Sequence, residues 1–173
     1  LHGLSHEIVL VDGGSVDGTP EWIADQPDCR LIKHAGLLGA IKAFNDGAYA
    51  ATGDYVILAN DDIEFIDDAI WLAWLYMQRH PDVGQGCFYQ DRAGNGFDVD
   101  RSMPAIVDGV QRFLLYGQVC IVPRWLGDRC GWWGRAEEYQ AKRLTPPRTY
   151  GGDNELSSNI YETGYKIEPI EGA

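Results

Sequence analysis

Strand-length segments alternate with amphipathic segments in the first half of the chain, and this alternation limits the fold more than any other feature. Residues 7–11, 29–34 and 55–59 have the length and composition of strands, and each precedes a segment suited to a helix. Strand–helix pairs at such short spacing are typical of a parallel sheet covered by helices. The sequence therefore predicts an α/β fold, and its 173 residues suit a single domain with its own core.

The charge balance excludes several classes of partner. The net charge is −12, whereas a surface for nucleic acid or anionic lipid needs a basic patch. An anionic ligand would therefore need a metal ion or backbone amides to receive it. The sequence has neither a run of the ~20 apolar residues that a membrane span requires nor a visible signal peptide. Its four cysteines lack CxxC spacing, so free thiols in a reducing, cytoplasmic compartment are the simplest interpretation.

Asn60, Asp61 and Asp62 follow the apolar run at residues 55–59. Two adjacent carboxylates at a buried strand end repel each other and lose solvation. A divalent cation would relieve both effects, because hard cations prefer oxygen ligands. A solvated turn before a helix capped by Asp67 is an equally good interpretation of this stretch alone.

Asp12 ends the first predicted strand and opens a glycine-rich loop, with Gly14 and Ser15 next to it. Ligands of open α/β sheets bind at the carboxyl ends of strands, and glycines let a ligand approach the backbone. A plain strand–helix connection, with Thr19 as the helix cap, remains the alternative. The loop has no Gly-Lys-Ser/Thr sequence, so it is not a P-loop.

The second half is less regular. It contains two segments suited to strands, at residues 86–90 and 118–122, and a hairpin turn at residues 92–96. A long loop is expected at residues 123–150. The aromatic rings of this loop either stack on sugars or form a small core. A last helix begins near Gly152 and stops at Gly164. Asp153 lies in its first turn, where the helix dipole favours a carboxylate. It is either a proton acceptor or a simple cap.

Three pieces of this sequence together resemble family 2 glycosyltransferases of the GT-A fold. They are the loop at residues 11–19, the segment from residue 43 to Asp62, and the helix start at residues 152–156 with Gly164 and Tyr165. The resemblance implies a Rossmann-like, three-layer α/β/α fold with a mostly parallel central sheet. It also implies an enzyme, a hexosyltransferase that moves a sugar from a UDP- or dTDP-sugar to an acceptor hydroxyl with inversion.

The resemblance also assigns roles to individual positions. Asp12 matches the residue that contacts the donor base, and Gly14, Ser15, Asn45 and Asp61 match donor-binding positions. Asp62, with Asp61, matches the ligands of Mn²⁺ or Mg²⁺. Asp153 matches the catalytic base. Residues 117–120 resemble the acceptor-side segment, so the implied domain at residues 1–173 has a nucleotide-sugar half at 1–100 and an acceptor half at 101–173.

The chain departs from the family pattern at several points. The usual first strand is missing before residue 7, so we expect an unfilled position in the sheet beside the strand at residues 7–11. A family histidine that often completes the metal site would lie about where the chain stops, and Gly152 and Asn159 replace an acid and an arginine. The sequence lacks the QxxRW motif of processive polysaccharide synthases after the last helix.

Two other functions remain open at this stage. A non-catalytic or truncated GT-A-like domain would bind a nucleotide or a partner without turnover. A sugar-nucleotide nucleotidyltransferase would share a related fold, but it needs a basic triphosphate loop, and residues 12–19 contain no basic side chain. For the leading hypothesis, the expected partners are a nucleotide-sugar and a glycan, lipid-linked or other hydroxyl acceptor, without nucleic acid. The expected place is the cytoplasm or the inner face of a membrane.

Overall fold

The computed structural model describes residues 2–91, 96–98, 105–107, 110–112, 118–134 and 152–173. Its first half contains β1 (Ile8–Asp12), α1 (Thr19–Ala24), β2 (Cys29–Lys33), α2 (Ala40–Ala50), β3 (Tyr55–Leu58), α3 (Ala69–Arg79) and β4 (Val83–Cys87). Then follow β5 (Gln90–Asp91), β6 (Phe97–Asp98), β7 (Ala105–Val107), β8 (Val110–Arg112), β9 (Cys120–Pro123), α4 (Arg124–Cys130), α5 (Gly152–Glu162) and β10 (Lys166–Pro169).

The order of strands and helices in the first half confirms the α/β prediction. The predicted cap residues of α1 and α3, in contrast, are wrong. We expected Thr19 to cap α1. Instead Gly18 is the cap residue, with a left-handed φ of 90°. The carboxylate of Asp17 accepts hydrogen bonds from the backbone N–H and the hydroxyl of Thr19, at 3.1 and 2.7 Å. Asp67, the expected cap of α3, lies outside that helix with φ of 51°, and Asp68 precedes its first residue.

Among the described residues, the main sheet has four strands in the order β10-β4-β9-β3. β10 is parallel to β4, whereas β9 is antiparallel to both of its neighbours, β3 and β4. Three of the four strands therefore run in one direction, which agrees with a mostly parallel sheet. The carboxyl ends of β3 and β4 consequently lie at the same edge as the beginning of β9.

β1 and β2 form a separate parallel pair, and no described strand joins it to β3. Ile8 donates to the carbonyl of Asp28, and His34 donates to that of Asp12. Since alternate residues face opposite edges, the backbone groups of Val9 and Val11 face away from β2. β3 pairs only with β9 among the described strands. The expected unfilled position beside β1 is therefore present in the described part of the molecule.

Helices cover both faces of the sheet and make two cores, as a three-layer fold requires. One core joins α2, α4 and α5 to the sheet through buried side chains that include Ile41, Leu58, Val122, Leu126 and Leu156. The other packs α3 on the opposite face, around Ala73, Met77, Val83, Ile121 and Ile170. α2 also lies on β1, where Gly47 approaches the side chain of Val11 so closely that a β-carbon would lie 3.3 Å from it.

The second half contains elements that the sequence did not reveal. The segment expected as a loop begins with a seven-residue helix, α4, and the chain ends in an unpredicted strand, β10. β7 and β8 form an unpredicted antiparallel pair. The pairing of β5 with β6 confirms the hairpin, although its turn lies outside the described residues. Residues 135–151, which include most of the expected aromatic loop, also lie outside them.

Candidate functional site

Asp12 ends β1 with its carboxylate turned into its own loop. It is only 7% exposed, and its oxygens accept hydrogen bonds of 3.1 Å from the backbone N–H groups of Gly14 and Ser15. A hydrogen bond from the Ser15 side chain is the main cause that lowers the pKa of Asp12. The two amides and the charge of Lys33 also lower it, against the effect of burial. Asp12 is therefore held ionised, while Gly14 and Ser15 shape the loop around it.

The loop after β2 lies against the Asp12 loop. A β-carbon on Gly14 would lie 3.0 Å from the α-carbon of Gly36, and φ of Gly14 is 97°. Glycine is therefore required at position 14 by its conformation and by its close neighbour. Leu37 packs over Gly13, yet it remains 89% exposed. The two loops thus form one surface at the carboxyl ends of β1 and β2.

A cluster of charged side chains from α2 and the end of β2 lies next to this surface. Nε2 of His34, a buried side chain, lies 2.7 Å from Oδ2 of Asp46, and Lys42 binds the other oxygen of Asp46 from the preceding turn of α2. Burial alone would raise the pKa of Asp46, but the hydrogen bonds from Lys42 and His34 outweigh it and lower the pKa. Lys42 and Asp46 have the local i,i+4 spacing of a helical ion pair, but no local pattern indicates the contact with His34, which belongs to a different element.

Asp61 and Asp62 lie in the turn after β3, and both are exposed. No group of three or more His, Cys, Asp or Glu side chains that suits a metal ion occurs in the described part of the chain. The pair nevertheless fits a divalent ion that is bound together with a ligand. Such an ion commonly takes one or two carboxylates and completes its oxygen ligands with phosphates and water.

Asp153 lies in the first turn of α5, and its carboxylate accepts a 2.9 Å hydrogen bond from the N–H of Asn154. Burial is the main cause that raises the pKa of the Cys120 thiol to about 12. The nearby Gln85 amide lowers this pKa, and the negative charge of Asp153 raises it further. Asp153 is therefore within electrostatic reach of Cys120. Cys120 pairs with Leu58 near the end of β3, so Asp153 and the turn with Asp61 and Asp62 share one edge of the main sheet.

Asn45 connects α2 to the start of α5. Its side chain is buried, and its carbonyl oxygen accepts a 2.8 Å hydrogen bond from the N–H of Trp133. The indole ring of Trp133 lies on Gly152, where a β-carbon would approach it to 2.3 Å. The described structure thus gives Asn45 a connecting role. Its expected contact with the donor stays a prediction.

The structure places the predicted site residues in two groups. Asp12, Gly14 and Ser15 lie at the end of the β1–β2 pair, whereas Asp61, Asp62 and Asp153 lie at one edge of the main sheet. α2 packs on both β1 and β3 and so joins the groups. In the acceptor-side segment, Val119 and Cys120 are buried and Gln118 is exposed, while residue 117 lies outside the described part.

Comparison with known proteins decides the family. Residues 2–144 match the sequence profile described as Glycosyl transferase family 2. The chain belongs to this family. The match confirms the predicted glycosyltransferase family over the nucleotidyltransferase alternative, whereas the donor, the metal and the inverting mechanism stay predictions.

A related sequence supports the assignment. The chain is 29% identical over 115 residues to N-acetylglucosaminyl-diphospho-decaprenol L-rhamnosyltransferase of Mycobacterium tuberculosis, in strains CDC 1551 and H37Rv. The match covers 59% of this chain and 38% of the relative. The match thus spans well under half the length of these relatives.

Two solved structures share the GT-A fold with this chain. One is the mannosyltransferase PcManGT of Pyrobaculum calidifontis, in complex with GDP-Man and Mn²⁺, with a TM-score of 0.62, 20% identity and coverage of 94% of this chain and 45% of that one. The other is TarS residues 1–349 of S. aureus, with a TM-score of 0.67, 16% identity and coverage of 96% and 49%. At these identities the likeness shows the fold.

Two further properties of the chain bear on the sequence predictions. All four cysteines are free, as expected. None of the helices within the described ranges has the length and apolar composition needed to cross a bilayer.

Proposed function

We propose that this glycosyltransferase is a metal-dependent, inverting enzyme that uses a UDP- or dTDP-sugar. The observation that carries the proposal is the position of Asp153. It lies in the first turn of α5, near the Cys120 thiol, and Cys120 pairs with Leu58 at the end of β3, just before the turn with Asp61 and Asp62. A proton acceptor and two metal-binding carboxylates near one another are what a transfer from a sugar diphosphate needs.

Asp61 and Asp62 would hold Mn²⁺ or Mg²⁺, with Asp62 as the main ligand. Both are exposed hard oxygen donors at a strand end, and two carboxylates suit an ion that also binds a diphosphate. When bound, the ion neutralises the charge that develops on the leaving diphosphate. The Mn²⁺ bound with GDP-Man in the Pyrobaculum mannosyltransferase supports this choice of metal.

Asp12 would recognise the donor base. Its oxygens accept from the amides of Gly14 and Ser15 and from the Ser15 side chain, and an ionised carboxylate offers about four acceptor sites. It therefore retains capacity for the imide N–H of uracil or thymine. Gly14 and Ser15 would bind the donor through this loop, with Asn45 supporting the site from α2. The L-rhamnosyltransferase activity in the name of the mycobacterial relative makes an L-rhamnosyl donor the first to test.

Asp153 would act as the base. Its carboxylate takes the proton of the acceptor hydroxyl while that oxygen bonds to the anomeric carbon of the sugar. The bond from this carbon to the diphosphate oxygen breaks in the same step, so the configuration inverts. Water can replace the acceptor slowly, which makes donor hydrolysis a second assay of the same residue.

We place the donor in the half at residues 1–100 and the acceptor in the half at 101–173, within one domain at 1–173. The acceptor would be a glycan, lipid-linked or other hydroxyl compound, as the lipid-linked sugar in the relative's name illustrates. The free cysteines suit a reducing compartment. We therefore expect the enzyme to work in the cytoplasm or at the inner face of a membrane.

Calorimetry with UDP, with and without Mn²⁺, tests the proposal. We expect Mn²⁺-dependent binding in the native protein, no Mn²⁺ dependence in Asp62→Asn, and a milder loss in Asp61→Asn. Asp67→Asn, in the same exposed loop, is the matched control and should bind normally. Unchanged Mn²⁺ dependence in Asp62→Asn would refute the metal assignment.

Hydrolysis of dTDP-L-rhamnose and UDP-N-acetylglucosamine then separates an enzyme from a non-catalytic domain. Turnover that releases the inverted sugar, measured by NMR, supports the proposal. Tight UDP–Mn²⁺ binding without any turnover would favour the domain that only binds nucleotide.

A further inference from the structure

Gln85 and Ser157 form a buried polar contact beneath the helix that carries Asp153. Neither residue is exposed to solvent. The hydroxyl of Ser157 donates a 2.9 Å hydrogen bond to the side-chain oxygen of Gln85. Gln85 lies in β4 and Ser157 in α5, so this bond attaches the helix to the sheet.

The hydrogen bond between Ser157 and Gln85 lies about one helical turn from the proposed base, Asp153. Ser157 follows Asp153 by four residues, about one helical turn, so the two side chains share one side of α5. The adjacent residues of α5, Leu156 and Ile160, are also buried. An apolar contact alone holds a helix against a sheet but allows small shifts, whereas a hydrogen bond specifies one position.

The amide nitrogen of Gln85 points to a role beyond packing. It is buried and makes no hydrogen bond of good geometry with any described group. The Gln85 amide nevertheless acts on the Cys120 thiol, and the charge of Asp153 acts on the same thiol. Gln85 therefore bonds to Ser157 of α5 and lies close to Cys120, whose thiol also feels the charge of Asp153. A buried polar group without a full set of partners needs a reason to be present.

We infer that Gln85 is a positioning residue of the transfer reaction: through Ser157 it fixes α5, and with it Asp153, at the sheet edge that carries Asp61 and Asp62. The inference rests on the proposed role of Asp153 as base. A displacement of a catalytic group by about 1 Å can lower the rate of a reaction by about 100-fold. Loss of the Gln85 contact should therefore lower kcat and leave donor binding unchanged.

Gln85→Met tests the inference, because methionine has a similar volume and its thioether sulfur is only a weak acceptor in place of the amide oxygen. We expect UDP–Mn²⁺ binding within about twofold of native and a kcat for hydrolysis of dTDP-L-rhamnose or UDP-N-acetylglucosamine lower by about 10- to 100-fold. Ser157→Ala, a smaller change, should show the same pattern and serves if Gln85→Met fails to fold. Ser158→Ala, at the next position of the same helix, is the matched control with native kcat.

A double variant distinguishes positioning from general support. In an Asp153→Asn background, Gln85→Met should change the remaining rate by less than about twofold, because the group that it positions is already inactive. An equal fold loss in both backgrounds, or native kcat in both Gln85→Met and Ser157→Ala, would overturn the inference.

Hydrogen exchange provides a readout that does not depend on turnover. Amides of Gly152–Glu162 should exchange faster in Ser157→Ala than in Ser158→Ala, and equal exchange would overturn the anchoring role. If native protein hydrolyses neither donor, the proposed function fails, and the exchange result still decides whether Gln85 and Ser157 anchor the helix.

Discussion

The indole ring of Trp133 packs against Gly152 and leaves no space for a side chain on the residue before Asp153. A β-carbon at position 152 would lie 2.3 Å from the ring. The backbone N–H of Trp133 is in turn bound by Asn45 of α2. Gly152, which departs from the family pattern, therefore leaves space for the ring of Trp133. Through this contact, and the bond from Trp133 to Asn45, the start of α5 is held next to α2.

The first prediction concerns this contact. Gly152→Ala should lower the free energy of unfolding by about 1–3 kcal/mol, the usual cost of overpacking, although alanine favours helices. Urea denaturation measures the change. Gly134→Ala is the matched control, because a β-carbon there meets no atom within 4 Å, and it should be nearly neutral. A Gly152→Ala variant as stable as native protein would contradict the packing.

The second prediction concerns the donor base. Asp12→Ala should weaken UDP or dTDP binding by about 10- to 100-fold, as expected for a hydrogen bond to a charged group. Asp17→Ala, an exposed position in the same loop, should bind normally. Calorimetry measures both. Native protein that binds CDP as well as UDP would count against Asp12, because cytosine lacks the imide N–H.

The third prediction concerns acid stability. The pKa of Asp46 is lowered in the folded protein below its ordinary value of 3.8. Its contribution to stability is thus fully present above that value and disappears as the pH falls through the lowered pKa. As the pH falls below about 5, Asp46→Asn should therefore lose less stability than native protein. Asp25→Asn, at an exposed position after α1, is the control and should follow the native curve. Urea denaturation at a series of pH values measures the three curves. Parallel curves for native protein and Asp46→Asn would exclude this contribution.

The fourth prediction concerns the gap between β1 and β3. The amides of Val9, Val11 and Ile57 face the unpaired edges, whereas those of Leu10 and Val56 face neighbouring strands. The first three should exchange with solvent much faster than the other two, as NMR can measure. Equal protection in both sets would show that another segment occupies the gap.

The sequence allowed prediction of features that depend on neighbouring residues. Asp12 at a strand end, the two carboxylates after β3 and Asp153 at a helix start follow from local patterns of apolar and turn residues. The stop of the last helix at Gly164 is confirmed, with φ of 89° and its N–H bound to the carbonyl of Tyr161.

Other features depend on contacts across the chain and left no local signal. β9 runs antiparallel between β3 and β4, and this direction is visible only in the assembled sheet. The bonds from Trp133 to Asn45 and from Ser157 to Gln85 join residues 88 and 72 positions apart. A buried Gln and a Ser inside a helix indicate a polar contact only when their partners are known.

The rate of sugar transfer in Asp153→Asn tests the central claim most directly. Asparagine keeps the shape and the capping ability of the side chain but cannot accept the proton. The variant should fold, bind UDP–Mn²⁺ as native protein does, and transfer or hydrolyse about 10²–10⁴-fold more slowly. Glu155→Gln, two residues along the same helix, is the matched control and should keep its rate. Full activity in Asp153→Asn together with its loss in Glu155→Gln would show that the wrong carboxylate has been assigned.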